Sequence, residues 1–155
     1  MKMTKTKLLV LIFSIVAITI VGFLSTVNYK SKLVLGGKTF SVDVADTVYT
    51  QAKGLSNRQS LGYNEGMLFI FKDVDIHGFW MKDMLFPIDI IWMDENLKIN
   101  HIEKSLSPET YPKVFSPEAP AKYVLEIASG QADLLKVKIG DVVEFVDKTS
   151  NNPFF

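Results

Sequence analysis

One stretch of the chain, Leu8 to Val27, is apolar without a single charge, and every later apolar run is short. At about 1.5 Å per residue, a helix over this stretch measures roughly 30 Å, the thickness of the hydrocarbon layer of a membrane. The pattern therefore predicts one membrane-spanning helix at 8–27; a buried core helix would need a polar face for solvent. Lys2, Lys5 and Lys7 precede the run and only Lys30 and Lys32 closely follow it. The positive-inside bias then puts a basic stub, 1–7, in the cytoplasm and everything after a 28–33 linker outside it. Ser25-Thr26-Val27 is a poor cleavage site and the run exceeds a signal-peptide core, so an uncleaved anchor is expected. Secretion after cleavage is the alternative.

Beyond the linker the period shortens to two, and residues 34–147 read as a β domain with a 148–155 tail. Lys32 to Leu35 and Lys38 to Val44 flank Gly36-Gly37, a pair suited to the positive φ angles of a two-residue hairpin loop. Asp46 or Thr47 caps a short helix through Lys53, which Gly54 ends. Gly66 to Phe71 predicts a central strand covered on both faces. Gly78 to Lys82 and Ile88 to Met93 are strand-like and joined through Asp83 to Pro87, and Leu97 to Lys104 forms a further strand. Four prolines between Ser105 and Pro120 predict a long shaped loop. Tyr123 to Ala128 resumes a strand, Gln131 to Lys136 takes one or two helical turns, and Val142 to Val146 closes the domain. Seven or eight short strands with frequent turns favour a mainly β fold, a β-sandwich, jelly-roll-like, or a small barrel, with one or two short helices.

Composition narrows the function classes. Cysteine is absent, which excludes disulfides, thiolate metal sites and cysteine nucleophiles. With the three leading lysines set aside, 14 of the 17 basic side chains face 17 acidic ones, a balance unsuited to nucleic acid. Arg58 is the only arginine beside sixteen lysines, which marks it for a planar, bidentate task.

Candidate chemistry is sparse. Asp89 and Glu126 stand inside apolar strands, where an unpaired charge costs several kcal/mol. Alternation puts Asp89 on the face of Ile91 and Met93, and Glu126 on that of Val124 and Ala128. Arg58 and Lys82 are their natural counter-charges. Trp80 with Phe79 and Met81, or with Trp92 across a hairpin, offers an aromatic floor for a sugar ring or another flat ligand. His101 and Glu103 share one strand face, too short a pattern to predict a metal site, and Met67, Met81, Met84 and Met93 read as core filler. The hydrolase elbow, phosphate loop and dinucleotide fingerprint are absent, and no cofactor is implied.

Gly54-Leu55 with Arg58, Glu65 to Phe71, Phe79 to Lys82, Pro87-Ile-Asp89, Pro120 to Glu126, Gly130 and Gly140-Asp141 follow one another in an order that resembles the prokaryotic family called domain of unknown function 192. The resemblance covers about residues 34–146. It implies a compact, mostly β, jelly-roll-type domain, commonly exported, and no established reaction, cofactor or catalytic residue. Ser56 stands where that family often has methionine, and Asp83 where it often has asparagine.

These readings converge on a membrane-tethered extracytoplasmic module that binds a glycan, another small molecule or an envelope protein, with Arg58, Trp80, Lys82, Asp89 and Glu126 as ligand-binding candidates. Two alternatives carry different consequences. A hydrolase of saccharide or envelope polymer would use Asp89 and Glu126 as a carboxylate pair facing one cleft. A purely structural domain would use the same buried charges for folding alone.

Overall fold

The structure, a computed structural model, describes residues 30–146. The predicted anchor at 8–27 and the tail at 148–155 lie outside the described residues, among which no helix is long and apolar enough to cross a membrane.

Among the described residues, nine strands and two short α-helices follow in the order β1 (Lys30–Leu35), β2 (Lys38–Ala45), α1 (Val48–Lys53), β3 (Glu65–Asp75), β4 (Phe79–Trp80), β5 (Ile88–Met93), β6 (Ile99–Leu106), β7 (Val114–Phe115), β8 (Ala121–Ala128), α2 (Gln131–Leu134) and β9 (Glu144–Phe145). Seven strands form one sheet in the order β6-β5-β8-β3-β2-β1-β9, and β4 pairs with β7 in a separate ribbon. The β1–β2 hairpin turns on Gly36 and Gly37 at φ 55° and 76°, as the glycine pair predicts. Strands β2 and β3 are parallel, which demands a crossover, and α1 with the loop after it supplies one. Thr47 caps α1 by accepting the Thr50 amide, while the Thr50 hydroxyl oxygen accepts the Thr47 amide in return.

The sheet curls because its two ends are tied together. The Val143 amide donates to the Leu97 carbonyl and the Ile99 amide to that of Asp141, so the segment entering β9 bonds the start of β6. A half-barrel results. One apolar cluster, with Phe40, Leu68, Ile91, Leu125 and Phe145, fills its concave side. A second, with Phe69, Met81, Ile90, Trp92 and Val124, lies on the opposite face under the 54–64 loop and the β4–β7 ribbon. Two-sided burial makes all six residues of β5 buried and explains its unbroken apolar run.

Of the expected mainly β fold, sandwich, jelly roll or small barrel, the structure shows one sheet curled into a half-barrel, with its outer face covered by loops. The strand at Gly78 to Lys82 shrinks to Phe79–Trp80 and pairs with β7, inside the proline-rich loop, instead of forming a hairpin with β5. Packing decided this. The Trp92 indole donates to the His77 carbonyl at 2.8 Å, and Phe79 meets the Trp92 ring edge-on at 5.8 Å, anchoring the segment over the sheet.

Gly66 is required where β3 passes β8. A Cβ there would meet the Glu126 carbonyl oxygen at 2.7 Å and the Ile127 and Val42 side chains at 3.3 Å. Gly66→Ala is expected to lower stability by about 1–3 kcal/mol through overpacking, read as a lower urea midpoint at unchanged m-value.

Candidate functional site

Two loops on the outer face of the sheet make a cleft of about 510 Å³ between them. The first follows α1. Gln51 docks that helix by donating to the Ile70 carbonyl at 2.9 Å, and Gly54 at φ 49° ends it, turning the chain along the cleft. The second runs from Gly78 to Met84 and is held by the Trp92–His77 bond. The loops are also tied to each other, because the Asn57 amide donates to the Asp83 carbonyl at 2.8 Å and the Ser56 hydroxyl to the Lys82 carbonyl at 3.0 Å. Asn57 and Asp83 adopt left-handed φ angles of 62° and 56°, which Asn and Asp tolerate better than most residues. Both departures from the family pattern, Ser56 and Asp83, therefore belong to this tie.

The walls are aromatic. Phe69, Phe71, Phe79 and Trp80 line the cleft, with Phe79 edge-on to Phe69 at 4.8 Å and to Phe71 at 6.3 Å. Trp80 is 49% exposed and reaches the mouth, where its indole meets Tyr111 at 5.8 Å. Lys53, Lys82 and Asp83 add exposed charges there, and the Lys82 ammonium sits 5.7 Å from the centre of the Trp80 ring.

Glu126 is the buried acid of the cleft. Only 5% of the residue is exposed, and its Oε2 has no hydrogen-bond partner. Burial pushes the carboxyl up to about 8, against a weaker opposing pull from Arg58. At neutral pH the acid is predominantly protonated. The cross-strand row Asp43, Met67, Glu126, Ile90 places it on the outer face, one strand beyond Met67 from Asp43.

The other candidates are distributed differently. Arg58 pairs with Asp43, Nη2 to Oδ2 at 2.7 Å, and forms no ion pair with Glu126 or Asp89. Trp80 and Lys82 line the cleft; Met81 is buried beneath it, and Trp92 is buried in the sheet. Asp89 is fully buried on the other face, paired across to Ile127, while Glu126 pairs with Ile90. Its Oδ1 accepts the Ser105 and Gly130 amides at 2.8 and 3.1 Å and its Oδ2 the Ala132 amide at 2.9 Å. The carboxylate pair required for hydrolysis does not share a cavity, because the sheet separates the two side chains. His101 and Glu103 approach to 3.4 Å on β6, and no group of three or more such ligands gathers among the described residues.

Reasoning from sequence overlooked Asp43, whose alternation within β2 looks like a solvated face, and the 51–57 turn as a cleft wall. Gly54 was visible as a helix stop and as part of the family pattern, not as a residue of a cleft.

The fold and cleft define a half-barrel β domain with an aromatic-walled pocket over one buried acid. The chain belongs to the family DUF192, described as Uncharacterized ACR, COG1430, which it matches over residues 31–145. It is 31% identical over 110 residues to a UPF0127 protein of Pyrococcus abyssi, covering 68% of this chain and 86% of that one. A UPF0127 protein of Pyrococcus horikoshii is 28% identical over 109 residues, covering 67% and 86%. Among solved structures, a protein of unknown function from Novosphingobium aromaticivorans is similar at TM-score 0.68 and 33% identity, covering 74% of this chain and 83% of that chain. A protein from Sinorhizobium meliloti described as a putative transcription regulator is similar at TM-score 0.70 and 26% identity, covering 76% and 95%.

Proposed function

We propose that the domain is a binding module whose cleft, over Glu126, takes a small ligand or the end of a larger one. The observation that carries this reading is that Glu126, with one buried carboxyl oxygen left without a partner, lines a cavity with aromatic walls. Leaving a buried acceptor unsatisfied costs about 1–3 kcal/mol, which a bound hydrogen-bonding group recovers. A cavity of this size suits a small molecule or a single side chain.

The reading is tested by a thermal-shift screen of the full chain against amines, alcohols, glycans and cell-wall fragments. A hit should bind at least fivefold more weakly to Trp80→Ala, about 1 kcal/mol of lost aromatic contact, with little change in the variant's own stability because Trp80 is half exposed. A screen without hits, or hits indifferent to Trp80→Ala and Glu126→Gln, would count against it. The carboxylate-pair hydrolase is not carried forward, for the geometric reason given above. Nor does the description of the Sinorhizobium protein transfer, since the net charge of −3 beyond the first seven residues disfavours nucleic acid.

The module is proposed to act outside the cytoplasm on a helical tether at 8–27, supported by the uncharged run and the lysines ahead of it. A phosphatase that is active only after export, fused to the C-terminus, should be active on intact cells. Activity of a cytoplasm-dependent reporter at the same position would overturn the tether.

A further inference from the structure

Resting on the cleft reading, we propose that the ligand group seated over Glu126 is a primary ammonium on an apolar stem, as in an arylalkylamine or a lysine side chain. The deep part of the cavity has Leu55, Phe69, Phe79 and Met84 in its walls and Glu126 as its ionisable group. A polyhydroxylated ring would need many more polar partners there than one carboxyl group. An apolar stem ending in one hydrogen-bonding charge fits both the walls and the floor.

Charge complementarity selects the cation. Among the described residues, no Lys, Arg or His forms an ion pair with Glu126, so once ionised it can take its direct partner from what enters the cleft. Aromatic faces attract an ammonium as well, and Lys82 shows this within the protein by resting its own ammonium over Trp80. The other charges near the cleft are paired or exposed. Arg58 is engaged by Asp43, whose Oδ1 also lacks a partner; Lys53 and Lys82 stand exposed at the mouth beside Asp83. Glu103 on β6 lies two strands from Glu126, across Ile90.

Pairing with an ammonium requires the carboxylate, whereas the empty cleft holds the acid mostly protonated at neutral pH. Binding of a cation must therefore release a proton, and affinity must rise with pH until the acid is ionised without help.

Benzylamine and benzyl alcohol, equal in shape and different in charge, separate the possibilities when titrated into the full chain and followed by amide NMR shifts. Benzylamine is expected to bind at least tenfold tighter than benzyl alcohol near pH 8. Its affinity should rise close to tenfold per pH unit between about pH 5.5 and 7.5. Glu126→Gln should lose both the preference for the amine and the slope. Equal affinity for the two probes, or an affinity for benzylamine that is flat or falls with pH, overturns the ammonium assignment. In that event benzyl alcohol binding that weakens in Trp80→Ala would still support the cleft as a binding site, so the two readings fail separately. Absence of binding by either probe also overturns the assignment.

Discussion

Replacing Glu126 by glutamine should make the protein progressively more stable than the wild type as pH is raised from about 4.5 to about 8. The reason is linkage. The folded-state pKa stands at about 8 and the ordinary value at 4.5, so across that window the folded protein retains a proton that the unfolded chain has released. A group whose pKa is raised by folding in this way loses stability with rising pH, by about 1.4 kcal/mol per unit while the difference persists. Accumulated over the window, the penalty is on the order of 4 kcal/mol, and it levels off above about pH 8. Glutamine cannot ionise, so any fixed cost of its buried amide is the same at every pH. Urea denaturation of both proteins at about pH 4.5, 6, 7.5 and 9 gives the comparison. A stability difference that stays constant over that range would show that Glu126 ionises as freely in the fold as in the unfolded chain.

The second large effect is expected at Asp89, where removal of the carboxylate should cost stability and leave cleft binding alone. Its two oxygens accept three backbone amides, from Ser105 at the end of β6 and from Gly130 and Ala132 at the start of α2. Each is a charge-assisted hydrogen bond. Ser105 has a left-handed φ of 52°, uncommon for a residue with a side chain, and the carboxylate ties its turn and the one at Gly130 to β5. Asp89→Ala leaves buried donors without an acceptor and should lose about 3–5 kcal/mol; Asp89→Asn keeps one oxygen and should lose roughly half as much. The readout is the urea midpoint, together with ligand affinity of whichever variant folds. Loss below about 1 kcal/mol in Asp89→Ala, or an unchanged fold with weakened ligand binding, would contradict a structural role.

Buried acids on neighbouring strands thus divide the work, one organising turns on the concave side and one lining the cleft. Each position was conspicuous in the sequence because a carboxylate interrupts an apolar strand. Their separation was half legible. Alternation assigns Asp89 to the side of Ile91 and Glu126 to that of Val124, but whether those sides coincide depends on the pairing of β5 with β8. A shift of one residue would have put both acids in one cavity.

Other parts of the site escaped for a related reason. Arg58 attracted attention by its rarity, and the guess that it serves a buried acid pointed to Asp89 or Glu126; its partner is Asp43, which the parallel pairing of β2 with β3 brings beside Met67. Trp80 and Lys82 both line the cleft, although the expected hairpin with Trp92 did not form. The ribbon partner of Trp80, Val114, sits among prolines that argue against any strand.

Local chemistry was enough to determine the β1–β2 hairpin from two glycines, the cap of α1 from Thr47, the central strand from an unbroken apolar run, and the absence of any thiol chemistry. Those features depend on residues close together along the chain. Only the tertiary structure decided that the strands curl into one half-barrel, that its outer face is closed by loops, and that Glu126 alone of the two acids meets a cleft. Register and curvature are set by contacts between segments far apart in sequence, whose energies no local pattern carries.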